Sequence, residues 1–194
     1  MVYGYKKRML SVVTDQIKMA YKVLYRKCDK AVKKGHRKRD VSGKQFVACI
    51  SDVIGNPVVQ QMKSYNHHSR TNCFNHSMHV AYYNYIICKR FNLDYRTAAK
   101  AGMLHDLFLY DWHGHGHDNG ELPHGFTHPS RALKNAHDNF KLTKKDGDMI
   151  TKHMFPLTLS IPKYKETCVI IMTDKFCSTC EVMDGMFRKK IERR

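Results

Sequence analysis

Residues 99–112 read AKAGMLHDLFLYDW, and two of them, His105 and Asp106, interrupt an otherwise apolar stretch of Ala101, Gly102, Met103, Leu104, Leu107, Phe108 and Leu109. Adjacent polar groups among side chains that seek the interior are costly to bury unless something bonds them. An arbitrary His-Asp pair would find its bonds locally, at a helix end. The flanking sequence offers this pair other partners at regular intervals.

Working outward, Asp94 is placed to cap a helix through Ala98, Ala101 and Leu104, and Phe74, Val80, Tyr83 and Ile87 predict a preceding helix from Asn72 to Phe91. A short helix around Lys44 to Ile54 is expected to stop at Gly55, with Asn56-Pro57 as cap and first residue of the next. Downstream, Thr127 before His128-Pro129 predicts a helix start, and Thr143 with Asp146 makes a capping-box-like start for another. Pro156 and Pro162 punctuate a connection. The run Val169, Ile170, Ile171, Met172, Phe176, Val182 and Met183 predicts a last long helix, since no partner strand is evident. The fold class is therefore all-α. His76, His105-Asp106, His128, His153 and Asp174 each fall inside or at the start of a predicted helix. They are separated by 29, 22, 25 and 21 residues (76 to 105, 106 to 128, 128 to 153, 153 to 174). That is about one group per helix, as a bundle needs to present side chains to one central site, and a shared metal would partner several buried polar groups at once.

The segments HSMHVA (76–81), AGMLHDLF (101–108), HPSRAL (128–133), KHMF (152–155) and MTDKF (172–176) resemble the ordered H, HD, H, H, D signature of the HD superfamily. The similarity spans about residues 65 to 185. It implies an HD-domain helical bundle over 56–194, with ligands presented from several helices, behind a basic helical N-terminal extension over 1–55 packed on the core. It further implies that His76, His105, Asp106 and Asp174 hold one metal, that His128 and His153 serve a second, and that Asp106 bridges both. His105 and Asp106 are then the catalytic pair. Imidazoles with carboxylates suit iron, manganese, zinc or cobalt, and six ligands are too many for one four-coordinate zinc. Two divalent transition metal ions, iron or manganese, are expected, activating a water for attack on phosphorus.

The function expected from the resemblance is hydrolysis of a nucleotide or other small phosphate ester or anhydride. A di-iron oxygenase of the same superfamily is the alternative, and a non-catalytic, metal-stabilised protein that binds nucleic acid or a partner is a third reading. Many two-metal phosphodiesterases of the superfamily carry Lys three residues after the HD aspartate, where this chain has Leu109. Arg70, Lys152, Lys175 or a basic residue near the N-terminus is expected to supply the phosphate contact instead.

Charge agrees with an anionic substrate. The 194 residues hold 34 Lys and Arg against 17 Asp and Glu, a formal +17, together with 13 histidines. Residues 1–40 contribute 13 of the basic residues against three aspartates, or +10, and Val13, Ile17, Ala20, Tyr21 and Leu24 predict a basic amphipathic helix over about 9 to 33. Such a field draws phosphates, nucleotides, nucleic acid or anionic surfaces. Nucleic acid ranks lower because no aromatic interleaving or recognisable motif accompanies the charge. No signal-peptide core or stretch of roughly 20 apolar residues occurs, so no membrane partner and a cytoplasmic location are expected. The seven cysteines, Cys177 and Cys180 among them, read as reduced thiols. His67 and His68 are candidates for the site entrance, and His79 ranks below His76. The segment 111–126, with His113, His115, His117 and His124, reads as a loop that can lie over the site.

Overall fold

Helix-capping residues and apolar faces set the architecture of this computed structural model, which describes residues 41–68, 71–111 and 122–192. The expected helix over 9–33, Arg70 and His113, His115 and His117 lie outside those residues. Helix α1, Val41–Ile54, buries Phe46, Ile50 and Val53 on one face. Asn56 caps α2, Pro57–Gln61, by accepting from the Val58 N–H at 2.9 Å. A 3-10 turn, Met62–Ser64, leads into strands β1, Asn66–His68, and β2, Thr71–Asn72, which pair antiparallel. Among the described residues this small ribbon is the sheet in an otherwise helical arrangement, consistent with the all-α class expected. With so few residues, it has no patterning to read.

Asn72 then caps α3, Cys73–Arg90, and Asp94 caps α4, Tyr95–Leu104. Helix α5 covers His124–Asn139, starting one turn earlier than the Thr127 cap predicts. The reason is local. Thr127 Oγ and His128 Nδ1 both donate back to the His124 carbonyl, so the residues before Pro129 close a helical turn rather than capping one. Thr143 and Asp146 make the expected capping box of α6, Lys144–Lys152. The last helix, α7, runs from Lys165 to Glu192. The described residues are thus mostly helical, and no helix among them is long and apolar enough to cross a membrane.

Helices α3, α4 and α7 form the layer that carries the site. Helix α4 meets α3 at Gly102, where an added Cβ would lie 2.7 Å from the Ala81 Cα, so only glycine allows the approach. Buried Asn84 on α3 donates to the Ala98 carbonyl of α4 at 3.2 Å and accepts the Thr173 hydroxyl of α7 at 2.6 Å. Three helices are therefore pinned through one side chain. At the start of α7, two turns before Thr173, Glu166 accepts the Asp94 N–H at 2.9 Å and the Lys145 ammonium at 3.0 Å, tying α7 to the starts of α4 and α6. Met103, Leu104, Leu107 and Tyr85 fill the apolar core between α1, α3 and α4, while Val80, Met149 and Ile170 pack a second cluster against α7. Cys177 and Cys180 are buried free thiols.

Candidate metal centre

His76 lies on the buried face of α3, and Asp174 stands opposite it on α7. Helix α4 ends at Leu104, so His105 caps it and Asp106 sits in the turn beyond, whereas the sequence predicts both inside the helix. The Leu107 N–H closes that turn on the Leu104 carbonyl at 3.2 Å. His128 comes one turn into α5, and His153 caps the end of α6. All six residues that the sequence singles out are buried and meet around Asp106.

Three of the imidazoles are held by backbone carbonyls: His105 Nδ1 by Gly102 at 2.8 Å, His128 Nδ1 by His124 at 2.9 Å, and His153 Nδ1 by Ile150 at 2.8 Å. A carbonyl only accepts, so each Nδ1 carries a proton and each ring, when neutral, turns its Nε2 lone pair inward. Those lone pairs converge. His128 Nε2 and His153 Nε2 are 2.8 Å apart, and Asp106 Oδ1 lies 3.4 Å from the first and 3.7 Å from the second. The other carboxylate oxygen, Oδ2, is 3.6 Å from His105 Nε2 and 3.8 Å from His76 Nε2. Asp174 Oδ1 closes that side, 3.1 Å from His76 Nε2 and 3.5 Å from His105 Nε2. The buried His105 Nε2 has no hydrogen-bond partner. Facing lone pairs and carboxylate oxygens repel unless a cation lies among them, so the donor set fits metal ions held by His, Asp and Glu.

The electrostatics of the two halves differ. Burial pushes the His153 imidazole down to about 3, aided by the charges of His105 and His128, and burial likewise lowers His128. Burial also opposes the charged form of His76, yet the Glu181 carboxylate and Asp174 overcome it and raise this imidazole to about 10. Burial would raise Asp106 and Asp174, but the surrounding imidazoles hold both well below the usual carboxylate range. The carboxylates are thus paired with imidazoles on one side of the centre, and His128 and His153 supply neutral nitrogen donors on the other.

One buried group of the centre, Glu181, went unassigned in the sequence, and a second, His67, was considered only for the entrance. Glu181, two turns after Asp174 on the same face of α7, accepts from His76 Nδ1 at 3.2 Å and His67 Nδ1 at 3.4 Å, with His79 Nδ1 at 3.6 Å. Burial works against its charge, and His76 with the three imidazole contacts outweighs it, so its carboxyl lies far below the ordinary range. The seven-residue spacing from Asp174 was the available signal. His67, considered for the entrance, is buried, with Nε2 3.0 Å from Asp106 Oδ2.

Of the residues considered for phosphate, Lys175 is exposed, follows Asp174 on α7 and donates to the His153 carbonyl at 3.2 Å. The Lys152 ammonium is engaged by the Asp148 carboxylate and the Ile161 carbonyl, holding the connection between α6 and α7. His124 belongs to α5 rather than to a loop; its ring stacks on His128 with centroids 4.5 Å apart, and its Nδ1 lies 2.7 Å from the Tyr110 hydroxyl. No family model, curated protein or solved structure matches the chain.

Proposed function

We propose that the chain is a metal-dependent phosphohydrolase of the HD type, acting on a nucleotide or another small phosphate ester or anhydride through two divalent ions. The observation that carries this reading is the 2.8 Å approach of His128 Nε2 to His153 Nε2 beside Asp106 Oδ1, while Asp106 Oδ2 faces His76 and His105. One carboxylate thus serves two sets of lone pairs. His76, His105, Asp106 and Asp174 would hold one ion, and Asp106, His128 and His153 the other. Nitrogen and oxygen donors without a thiolate favour iron or manganese. Such a pair of ions supplies a nucleophilic water at neutral pH and positive charge against the oxygens of a phosphoryl group.

The chain's own residues do the remaining work. The backbone carbonyls of Gly102, His124 and Ile150 fix three rings so that their Nε2 atoms face inward without reorganisation. Buried Phe108 sets its ring edge-on to His128 with centroids 5.9 Å apart, an apolar wall beside the His105-Asp106 turn. Lys175, held at the end of α6 by the His153 carbonyl, is the described cation nearest in sequence to Asp174 and takes the role of phosphate contact. The formal +17 charge of the whole chain favours an anionic substrate.

The test is release of phosphate or nucleotide by manganese-loaded protein, without oxygen, from mononucleotides, dinucleoside polyphosphates and a generic phosphodiester. Asp106→Ala serves as the blank. Release by the native chain alone supports hydrolysis. No release, with oxygen consumed by the iron-loaded chain on an organic substrate, replaces it with the oxygenase reading.

A further inference from the structure

We propose that His67 is an additional protein ligand at the ion position formed by His76, His105, Asp106 and Asp174, and that Glu181 is the positioning residue that aims both His67 and His76 at it. The inference rests on the metal-dependent reading above and extends its ligand set by a residue from the ribbon, outside the helices.

The geometry is a duplication. The His67 ring, delivered by β1, stacks on the His76 ring of α3 with centroids 3.6 Å apart and planes 18° from parallel. Both rings are bonded through Nδ1 to the same Glu181 carboxylate, at 3.4 Å and 3.2 Å. Both turn Nε2 toward the same oxygen, Asp106 Oδ2, at 3.0 Å and 3.8 Å. His67 therefore faces the same carboxylate oxygen as His76, from the adjacent, nearly parallel ring.

The chemistry follows from the acceptor. Ionised Glu181 only accepts, so His67 Nδ1 and His76 Nδ1 donate, and Nε2 is the nitrogen at which each ring exchanges a proton for a metal ion. Either a proton on His67 Nε2 or a shared cation satisfies its 3.0 Å approach to the buried Asp106 oxygen, and an ion at the His76 position displaces that proton. Carboxylates bonded to the far nitrogen of a metal-bound imidazole fix its tautomer and raise its basicity, and removing such a partner typically weakens metal binding by about 10–100-fold. Glu181 is placed to do this for two rings at once. An octahedral ion of the iron or manganese type has room for a fifth protein donor, whereas a tetrahedral one does not.

The probe is Co2+ added to the chelator-stripped full chain, followed by competition against a chelator and by the visible absorption of the bound ion, which responds to coordination number. In the native chain two ions bind. In His67→Ala, one of the two is weakened by at least 10-fold with a changed spectrum, while the other keeps its affinity; Glu181→Gln, nearly isosteric, weakens the same ion by about 10–100-fold. Native affinity and spectrum in a folded His67→Ala chain would overturn the proposal and leave the metal-dependent reading standing; the His67 contact to Asp106 would then be a protonated imidazole on a carboxylate. If His67→Ala does not fold, Glu181→Gln decides, and unchanged affinity and spectrum there overturn the proposal. Failure of the native chain to bind Co2+ at all would remove both.

Discussion

Replacing Gly102 by alanine sets two opposing effects against each other, and their sign tests the packing on which the centre depends. Alanine in a helix interior is favoured over glycine by about 1 kcal/mol, so an isolated α4 would gain stability. In this fold the new methyl meets the Ala81 Cα at 2.7 Å, the Ala81 nitrogen at 2.9 Å and the Asn84 Nδ2 at 2.8 Å, against ordinary contact from 3.4 Å. Two of those atoms are α3 backbone. The third cannot swing aside without breaking the bonds that Asn84 makes to Ala98 and Thr173. Relieving the overlap by separating the helices requires several tenths of an ångström. Overpacking of this kind costs about 1–3 kcal/mol, and losing a buried hydrogen bond costs about 1 more. The net expectation is a loss of about 1–3 kcal/mol, read from urea unfolding of chelator-treated protein as a lower midpoint at unchanged slope. Because the Gly102 carbonyl also holds His105 Nδ1 at 2.8 Å, the same displacement moves His105 and Asp106 relative to His76. Metal sites tolerate only about 0.2 Å, so ion affinity should fall as well. A Gly102→Ala chain as stable as the native, or more so, would refute the close approach.

Two further outcomes follow from the same geometry. Elemental analysis of Asp106→Ala should find both ions lost, and of His128→Ala only one, because the two oxygens of Asp106 face different imidazoles; equal losses from the two variants would contradict that division. Glu166, held below the ordinary carboxylate range by the Asp94 N–H and Lys145 despite the opposing effect of burial, contributes stability above its unfolded pKa of about 4.3 and loses it as pH falls through the lower folded value. Glu166→Gln should therefore destabilise the fold by about 1–3 kcal/mol near neutrality and flatten part of the acid limb, and an unchanged limb in denaturation between pH 2 and 6 would dismiss the argument.

Helix existence and several caps were legible from the sequence because each depends on a short window, whereas the six candidate ligand positions came from the ordered signature that the chain resembles over about residues 65 to 185. Asn56, Asn72, Asp94 and Thr143 cap where local hydrogen bonding allows, and the apolar spacing of α3, α4 and α7 follows the helical period. The start of α5 was misplaced because Thr127 and His128 spend their side chains on the His124 carbonyl, a bond that no cap rule anticipates. The ribbon of two and three residues carries no periodicity, so the route that brings His67 to the centre had no local signal. Glu181 was legible only as a carboxylate two turns from Asp174; its three imidazole neighbours come from β1 and α3, more than 100 residues away along the chain. Residue types and spacing by themselves pointed to a mostly helical chain carrying about one His or Asp group per helix, and the resemblance to a known signature turned those groups into a candidate metal set. Only the tertiary structure decided which lone pairs face one another, because that depends on how α3, α4 and α7 close on Gly102 and Asn84, and such closure is a property of packed surfaces rather than of any window of sequence.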